Sequence, residues 1–301
     1  MNCGPSIFSE PVDKFTTLAL AAHGVQRKIV PAMIRPLRLG VVPYLNVLPL
    51  LEGLDADYPK TNWLAATPRR LAELLAGGEI DVAMVSIFEA LLHADKYRIV
   101  PGVAIGCDGP VRSVALHSKV PLKEIKTVLL DRASLSSANL VQILCRELLN
   151  IDPQFHVSEN PFAPGFDWKT DSHDALLVIG DTALAWEHAF PHRLDLGMGW
   201  KELTGLPFVF AAWVAREGLE VSRDEVNAFV KAKDRGIANA EVIADRYVGE
   251  AGHEWVTRES AREYLTSAIK YDLGEWEREG LILFRQKLVE HRLLGGGGVL
   301  R

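Results

Sequence analysis

The sequence holds only three cysteines, Cys3, Cys107 and Cys145, widely spaced and odd in number. That excludes a disulfide framework and a CxxC metal or redox centre, and it suits a reducing compartment. There is no long run of Lys and Arg, and 33 basic residues against 39 acidic ones leave a net charge of −6. Nucleic-acid backbones are held by clustered cations, so nucleic acid is not expected as a partner. No apolar run approaches the roughly 18 residues of a membrane-spanning helix, so no membrane partner is expected either. Repeats of roughly 20–50 residues, the mark of solenoids and propellers, are also missing. What remains is a chain of 301 residues, 48% hydrophobic and 24% charged, with enough apolar material for two ordinary cores.

The first 35 residues stand apart. Phe15 to Ala22 is a short apolar run behind a single Lys14, with Glu10 and Asp13 diluting the region before it. A signal peptide needs a cleaner positive flank and a longer core. Residues 1–35 are therefore expected to be a poorly ordered extension of a cytoplasmic protein whose domain begins near Met33.

From there, strand-like and helix-like segments alternate. A compact apolar strand at 37–43 leads into a short helix at 47–54. Thr67-Pro68 then opens a helix with a hydroxyl cap and a first-position proline; Leu71, Leu74 and Leu75 form its buried face and Gly77-Gly78 closes it. Strands follow at 80–85, 98–105, 111–118, 126–131, 175–180 and 208–215, with helices at 87–93, about 136–149 and between 180 and Pro191. This alternation predicts a mainly parallel sheet covered by helices. After residue 220 the pattern is helical only. Ser222 and Glu225 form a capping box, and Val226, Phe229, Val230, Ile237, Ala240 and Tyr247 make one apolar stripe. Gly295–Gly298 reads as a tail and not as a phosphate loop, since no strand precedes it.

The order of segments predicts a discontinuous first lobe, residues 36–118 plus 208–301 with C-terminal helices, and a second lobe at 119–207. The crossings fall near 117–122 and 206–209. Two crossings make a hinge, with a ligand cleft between the lobes.

Ligands of open parallel sheets bind beyond the carboxyl ends of the strands. Those ends deliver Tyr44 and Asn46, then Ser86, then Ser134, Ser136 and Ser137, then Gly180, Asp181 and Thr182. All are small or polar, and no strand end carries a metal or nucleophile constellation. Helix N-termini present unpaired N–H groups and about half a positive charge, so they hold carboxylates without lysine. Ser136-Ser137 and Gly180-Asp181-Thr182 are the candidates, although hydroxyl residues cap ordinary helices as well. Arg112 either clamps a carboxylate or makes an interlobe salt bridge. His188 and His192 are four apart, but Pro191 breaks the helix a metal pair would need. Asp171 and Asp174 read as surface charge, and the tryptophans at 186, 200, 213, 255 and 276 as packing residues.

Several stretches together resemble a known family. They are Val41-Val-Pro-Tyr-Leu-Asn46 with Pro49-Leu50, Gly78-Glu-Ile-Asp-Val-Ala-Met-Val-Ser86, Ile99-Val-Pro-Gly-Val-Ala-Ile-Gly106, Gly109-Pro-Val-Arg-Ser-Val114 and Asp131-Arg-Ala-Ser-Leu-Ser-Ser137. Ala175-Leu-Leu-Val-Ile-Gly-Asp-Thr-Ala-Leu184, Thr204-Gly-Leu-Pro-Phe-Val-Phe210 and Tyr271-Asp-Leu-Gly274 continue the series. Over about residues 36–293 the chain resembles the chorismate dehydratases of the futalosine route to menaquinone, which share the two-lobed periplasmic-binding-protein type II-like α/β fold. The resemblance implies a cofactor-free lyase that converts chorismate to 3-[(1-carboxyvinyl)oxy]benzoate and water. It implies catalytic roles for Asn46 and Ser86, and substrate contacts from Tyr44, Arg112, Ser136, Ser137, Gly180, Asp181 and Thr182. Two other readings share the fold: a solute-binding protein for a small carboxylate, and the sister 1,4-dihydroxy-6-naphthoate synthase, which uses a catalytic histidine.

Overall fold

The computed structural model describes residues 36–132, 134–158, 161–162, 166–250, 253 and 255–294. The extension expected at 1–35 and the glycine tail at 295–298 lie outside the described residues. In chain order the strands are β1 (Leu39–Val41), β2 (Trp63–Ala65), β3 (Val82–Ser86), β4 (Arg98–Cys107), β5 (Val114–Ser118), β6 (Thr127–Asp131), β7 (Gln154–Ser158), β8 (Ala175–Ile179), β9 (His192–Asp195) and β10 (Phe208–Ala215). They form two five-stranded sheets, ordered β2-β1-β3-β10-β4 and β7-β6-β8-β5-β9.

The two orders are the same topology written twice. In each sheet three strands run parallel, and a fourth, β10 or β5, lies antiparallel between the third strand and an edge. The sheets are therefore mixed and not mainly parallel. The strands that carry the chain from one sheet to the other run opposite to the strands they join. The chain leaves the first sheet after Cys107 and enters the second at Val114, ahead of the expected 117–122, because Val114–Ser118 pairs with β8 and β9. Strands β2, β7 and β9 have no counterpart in the sequence reading. All three are sheet edges, and none shows a buried alternating face.

Helices α1 (Leu48–Leu51), α2 (Pro68–Ala76), α3 (Ile87–Leu92), α4 (Leu135–Glu147), α5 (Gly180–Ala185) and α6 (Leu196–Thr204) join the strands. Helices α7 (Arg223–Ala238), α8 (Ala240–Val248), α9 (Arg258–Glu263) and α10 (Glu275–Glu290) follow, with a π-helical turn at Tyr264–Ala268. Thr67 caps α2 by accepting from Arg70 N, and the capping box of α7 closes with Ser222 N donating to Glu225 at 2.7 Å. The stripe on α7 is rotated from the expected one. Ala228, Phe229, Ala232 and Gly236 are buried, whereas Ile237 is 46% exposed. Gly236 lies where α7 crosses Pro49 so closely that any Cβ would overlap the Pro49 carbonyl. Trp200 and Trp213 are core residues, but Trp276 on α10 is 61% exposed.

The end of each sheet remote from the interface between them is pinned by an aspartate just before the third strand. Asp81 accepts from Arg38 N (3.0 Å), from the Arg38 guanidinium (2.9 and 3.0 Å) and from Arg216 Nε (3.0 Å), joining the starts of β1 and β3 to the end of β10. Asp174, expected as surface charge, occupies the equivalent place. It accepts from Lys126 N (2.9 Å) and Thr127 N (3.1 Å) at the start of β6. The Arg38 hydrogen bond holds the Asp81 carboxyl well below the usual carboxylate range. A carboxyl with a depressed pKa contributes its stability above the unfolded value of about 4 and loses it as pH falls further. Asp81→Asn is therefore expected to lower the unfolding free energy at pH 7 by about 1.5–3 kcal/mol, with the deficit shrinking below about pH 4. Urea unfolding at the two pH values measures this.

Candidate active site

Because β1 and β3 are parallel in one sheet and β6 and β8 in the other, their carboxyl ends meet at one seam. The starts of the antiparallel strands close the seam, with Ala211 facing Ser86 and Val114 facing Ile179 in register. A cavity of about 100 Å³ lies there. Six residues singled out by sequence line it: Tyr44, Asn46, Ser86, Ser136, Ser137 and Gly180. Ser134, delivered by the same strand end as Ser136 and Ser137, lines it too, and one further hydroxyl, Ser113, joins them.

The donors and acceptors in this cavity are set by backbone geometry. Asn46 sits in a 3₁₀ turn, Leu45–Val47, that precedes α1, and its side chain caps neither element. Its Oδ1 is buried without a hydrogen-bond partner, a costly condition in a folded protein. Ser86 ends β3 and begins α3, again without capping by its side chain. Its hydroxyl lies 2.7 Å from that of Ser136, which also donates to Phe210 O (3.0 Å) and accepts from Phe88 N (3.2 Å). One serine of the second-sheet half thus ties together β3, α3 and β10 of the first. Ser134, at the N-cap of α4, makes no capping bond, and its Oγ is buried and unpaired. The first turn of this 13-residue helix therefore opens into the cavity with its N–H groups and the positive end of its dipole.

Other residues are placed differently from expectation. Gly180 has φ +64°, lies under the Tyr44 ring, and already donates its N–H to Ser113 O at 2.7 Å. The six residues of α5 make less than two turns, too few for the anion site expected at its start. Thr182 does not line the cavity, and neither does Asp181, whose carboxylate accepts from Tyr247 Oη at 2.7 Å. The Arg112 guanidinium does not line the cavity and is taken up by salt bridges. It pairs with Glu187 (2.7 Å) and Glu263 (3.3 Å), donates to Ser260 Oγ (2.9 Å), and lines a separate cleft with them. Its backbone is held in the left-handed region by Asp195, which accepts from Val111 N and Arg112 N.

Sequence reasoning passed over Ser113 and Tyr264. The fully buried Tyr264 phenol donates to Ser113 Oγ at 2.7 Å from the π-helical turn. Burial pushes its pKa up, with Ser113 and Asn46 acting against that rise. A π-bulge marks functional sites often enough to have been a signal, but it cannot be read from one sequence.

Among the described residues the lining contains no Asp, Glu, His, Lys, Arg or Cys. Its one titratable group is Tyr44, whose pKa is raised by burial and by Asp131 and Asp181, so the phenol stays a neutral donor. Cys107 and Cys145 are buried elsewhere, the latter with its thiol pushed up to about 12 by burial. Among the described residues no group of three or more His, Cys, Asp or Glu is set to hold a metal ion. The cavity offers hydroxyls, amides and a helix dipole: it can fix and polarise an anion, but it has no strong base.

This arrangement, two sheets of equal topology with a polar cavity at the seam, is that of the periplasmic-binding-protein-like folds. A protein from Archaeoglobus fulgidus shares it with TM-score 0.63 and 18% identity, over 86% of this chain and 98% of its own. So does a Candida albicans protein described as having the generic periplasmic binding protein structural fold, with TM-score 0.60, 12% identity and coverage of 87% and 92%. Residues 37–290 match the model of the menaquinone biosynthesis family, and the chain belongs to that family. A curated relative, the chorismate dehydratase of Thermus thermophilus, is 30% identical over 271 residues, 84% of this chain and 96% of its own.

The bridging role of Ser136 has a measurable consequence. Ser136→Ala leaves Phe88 N and Phe210 O without their partner, so a loss of about 1–3 kcal/mol in unfolding free energy is expected. Ser86→Ala removes only one of several bonds to that hydroxyl and is expected to cost less than about 1 kcal/mol. Equal losses in denaturant titrations contradict the bridge.

Proposed function

We propose that this chain dehydrates chorismate to 3-[(1-carboxyvinyl)oxy]benzoate, the step by which it serves menaquinone biosynthesis along the futalosine route in the cytoplasm, without a cofactor. The family supports the pathway and the Thermus relative supports the reaction. The observation that carries the reading is the uncharged lining of the cavity, because this dehydration needs no strong protein base. The C3 hydrogen of chorismate is vinylogous to the ring carboxylate, and loss of the C4 hydroxyl leaves an aromatic ring. The driving force is therefore in the substrate.

In this reading the two sheets are two lobes that close on a dianion. The first-turn N–H groups of α4 and the hydroxyls of Ser134 and Ser137 hold the ring carboxylate and the charge that spreads into it as C3 loses its proton. With no carboxylate or imidazole in the lining, the substrate's own enolpyruvyl carboxylate is the base at hand, held close to C3 by the shape of the cavity. The C3 proton passes to it, the C3 electrons form the ring double bond, and the C4–O bond breaks. The departing hydroxide takes that same proton back from the enolpyruvyl carboxyl and leaves as water. The unpaired Oδ1 of Asn46 and the Ser86 oxygen, whose proton is given to Ser136, accept from and orient the C4 hydroxyl, and the neutral Tyr44 phenol donates to it as it leaves.

The sister naphthoate synthase requires a histidine in the cleft, and none lines it among the described residues. A binding protein without catalysis would hold chorismate and release it unchanged. Incubation with chorismate followed by mass spectrometry separates these readings: loss of one water is expected, and intact chorismate with tight binding contradicts the proposal. Asn46→Ala is expected to lower kcat about 10²-fold or more; an unchanged kcat removes Asn46 from the reaction. Since Tyr44 keeps its proton to above its ordinary pKa of about 10, kcat is expected to be flat from about pH 6 to 9 and to fall only as that phenol ionises. A bell centred near neutrality contradicts the absence of a protein base.

A further inference from the structure

Asp181 is a half-buried carboxylate next to the cavity proposed for a dianion, yet it does not line that cavity. It stands in the first turn of α5, directly after Gly180, on the second-sheet half. Its Oδ2 accepts from Tyr247 Oη at 2.7 Å. Tyr247 belongs to α8, which packs with α1, α7 and α9 on the first-sheet half. The backbone N–H of Leu45 also faces this carboxylate and favours its ionised form. Leu45 lies between Tyr44 and Asn46, so this one carboxylate of the second-sheet half meets two separate groups of the first. The Tyr44 ring meanwhile rests about 3.9 Å from where a Cβ of Gly180 would be. Tyr247 is itself held firmly: its ring stacks on His253 at 3.7 Å and 11°, and His253 Nδ1 lies 2.7 Å from the Tyr247 carbonyl.

We propose that Asp181 and Tyr247 form a closure latch: Asp181 is a positioning residue that joins the two halves over the cavity and sets the Tyr44–Leu45–Asn46 turn, and it does not touch substrate. This deepens the dehydratase reading and rests on it. A carboxylate facing the substrate would repel both of its negative charges, whereas one turned toward a phenol and an amide attracts only protein. When the halves separate, Asp181 exchanges Tyr247 for water. The carboxylate pays a desolvation cost on closing, and burial indeed raises its pKa against the lowering by Tyr247 and Leu45. Closure is then finely balanced, and the charge-assisted bond to Tyr247 decides how much of the free protein is closed. Weakening the latch lowers the fraction of binding-competent protein and raises the apparent dissociation constant by the same factor, while saturating substrate restores the closed form.

The test is a double-mutant cycle of Tyr247→Phe and Asp181→Ala, with chorismate consumption as the readout. Tyr247→Phe is isosteric apart from the hydroxyl. It is expected to raise KM about tenfold and to leave kcat within about twofold. The double variant is expected to be no worse than Asp181→Ala alone, since both break the same bond. Three results overturn the latch: an unchanged KM in Tyr247→Phe, effects that multiply in the double variant, or loss of kcat in Asp181→Ala with Tyr247→Phe silent. A wild-type chain that consumes no chorismate refutes the dehydratase reading and not the latch. Small-angle X-ray scattering then decides, with a larger radius of gyration expected for ligand-free Tyr247→Phe than for wild type, and equal radii overturning the proposal.

Discussion

Strands β5 and β10 run antiparallel to the strands beside them, and that single constraint positions the cavity. Each begins at the seam, Ser113–Val114 in one sheet and Phe210–Ala211 in the other, because each enters its sheet from the opposite half. Their partners β8 and β3 must then end at the seam, and the parallel strands beside those end there too. Four strand ends and the helix starts that follow them converge without any long-range motif. Asp81 and Asp174 hold the far ends of the sheets through equivalent hydrogen bonds to the first strand, so both sheets present their carboxyl ends at fixed height.

Convergence of this kind favours a site made of backbone and small side chains. Tight strand-to-helix turns need residues such as Ser86, Ser134 and Gly180 (φ +64°), which leave little bulk at the seam. The charges of the region are spent at its rim instead: Arg112 on Glu187 and Glu263, Asp181 on Tyr247, Asp195 on the 111–112 backbone. An uncharged cavity ringed by charges that already have protein partners suits a substrate that brings its own charges and its own base. Oriented dipoles cost no reorganisation when charge moves within the ligand, whereas a flexible lysine would.

The sequence was most readable where cause and effect are close along the chain. Thr67-Pro68 and Ser222-Glu225 are caps within one turn, and both helices start where those residues place them. The rule that ligands bind at strand ends selected Tyr44, Asn46, Ser86, Ser136 and Ser137, which the cavity gathers. Reading failed where the partner is remote. Arg112 meets Glu187 and Glu263, 75 and 151 positions away, and no local pattern announces that its guanidinium is occupied. Asp174 looked like loop charge because its amide partners lie 47 and 48 residues earlier. Edge strands β2, β7 and β9 escaped for another reason: with little burial, nothing selects an alternating apolar pattern.

The most direct measurement of the central claim is a crystal structure of the chain with chorismate or its dehydrated product bound. The ligand is expected at the seam, one carboxylate against the first turn of α4 and the C4 hydroxyl or its vacated position against Asn46 and Ser86. A ligand held instead in the cleft beside Arg112, with the seam unaltered, would contradict the assignment of this uncharged cavity as the reaction site.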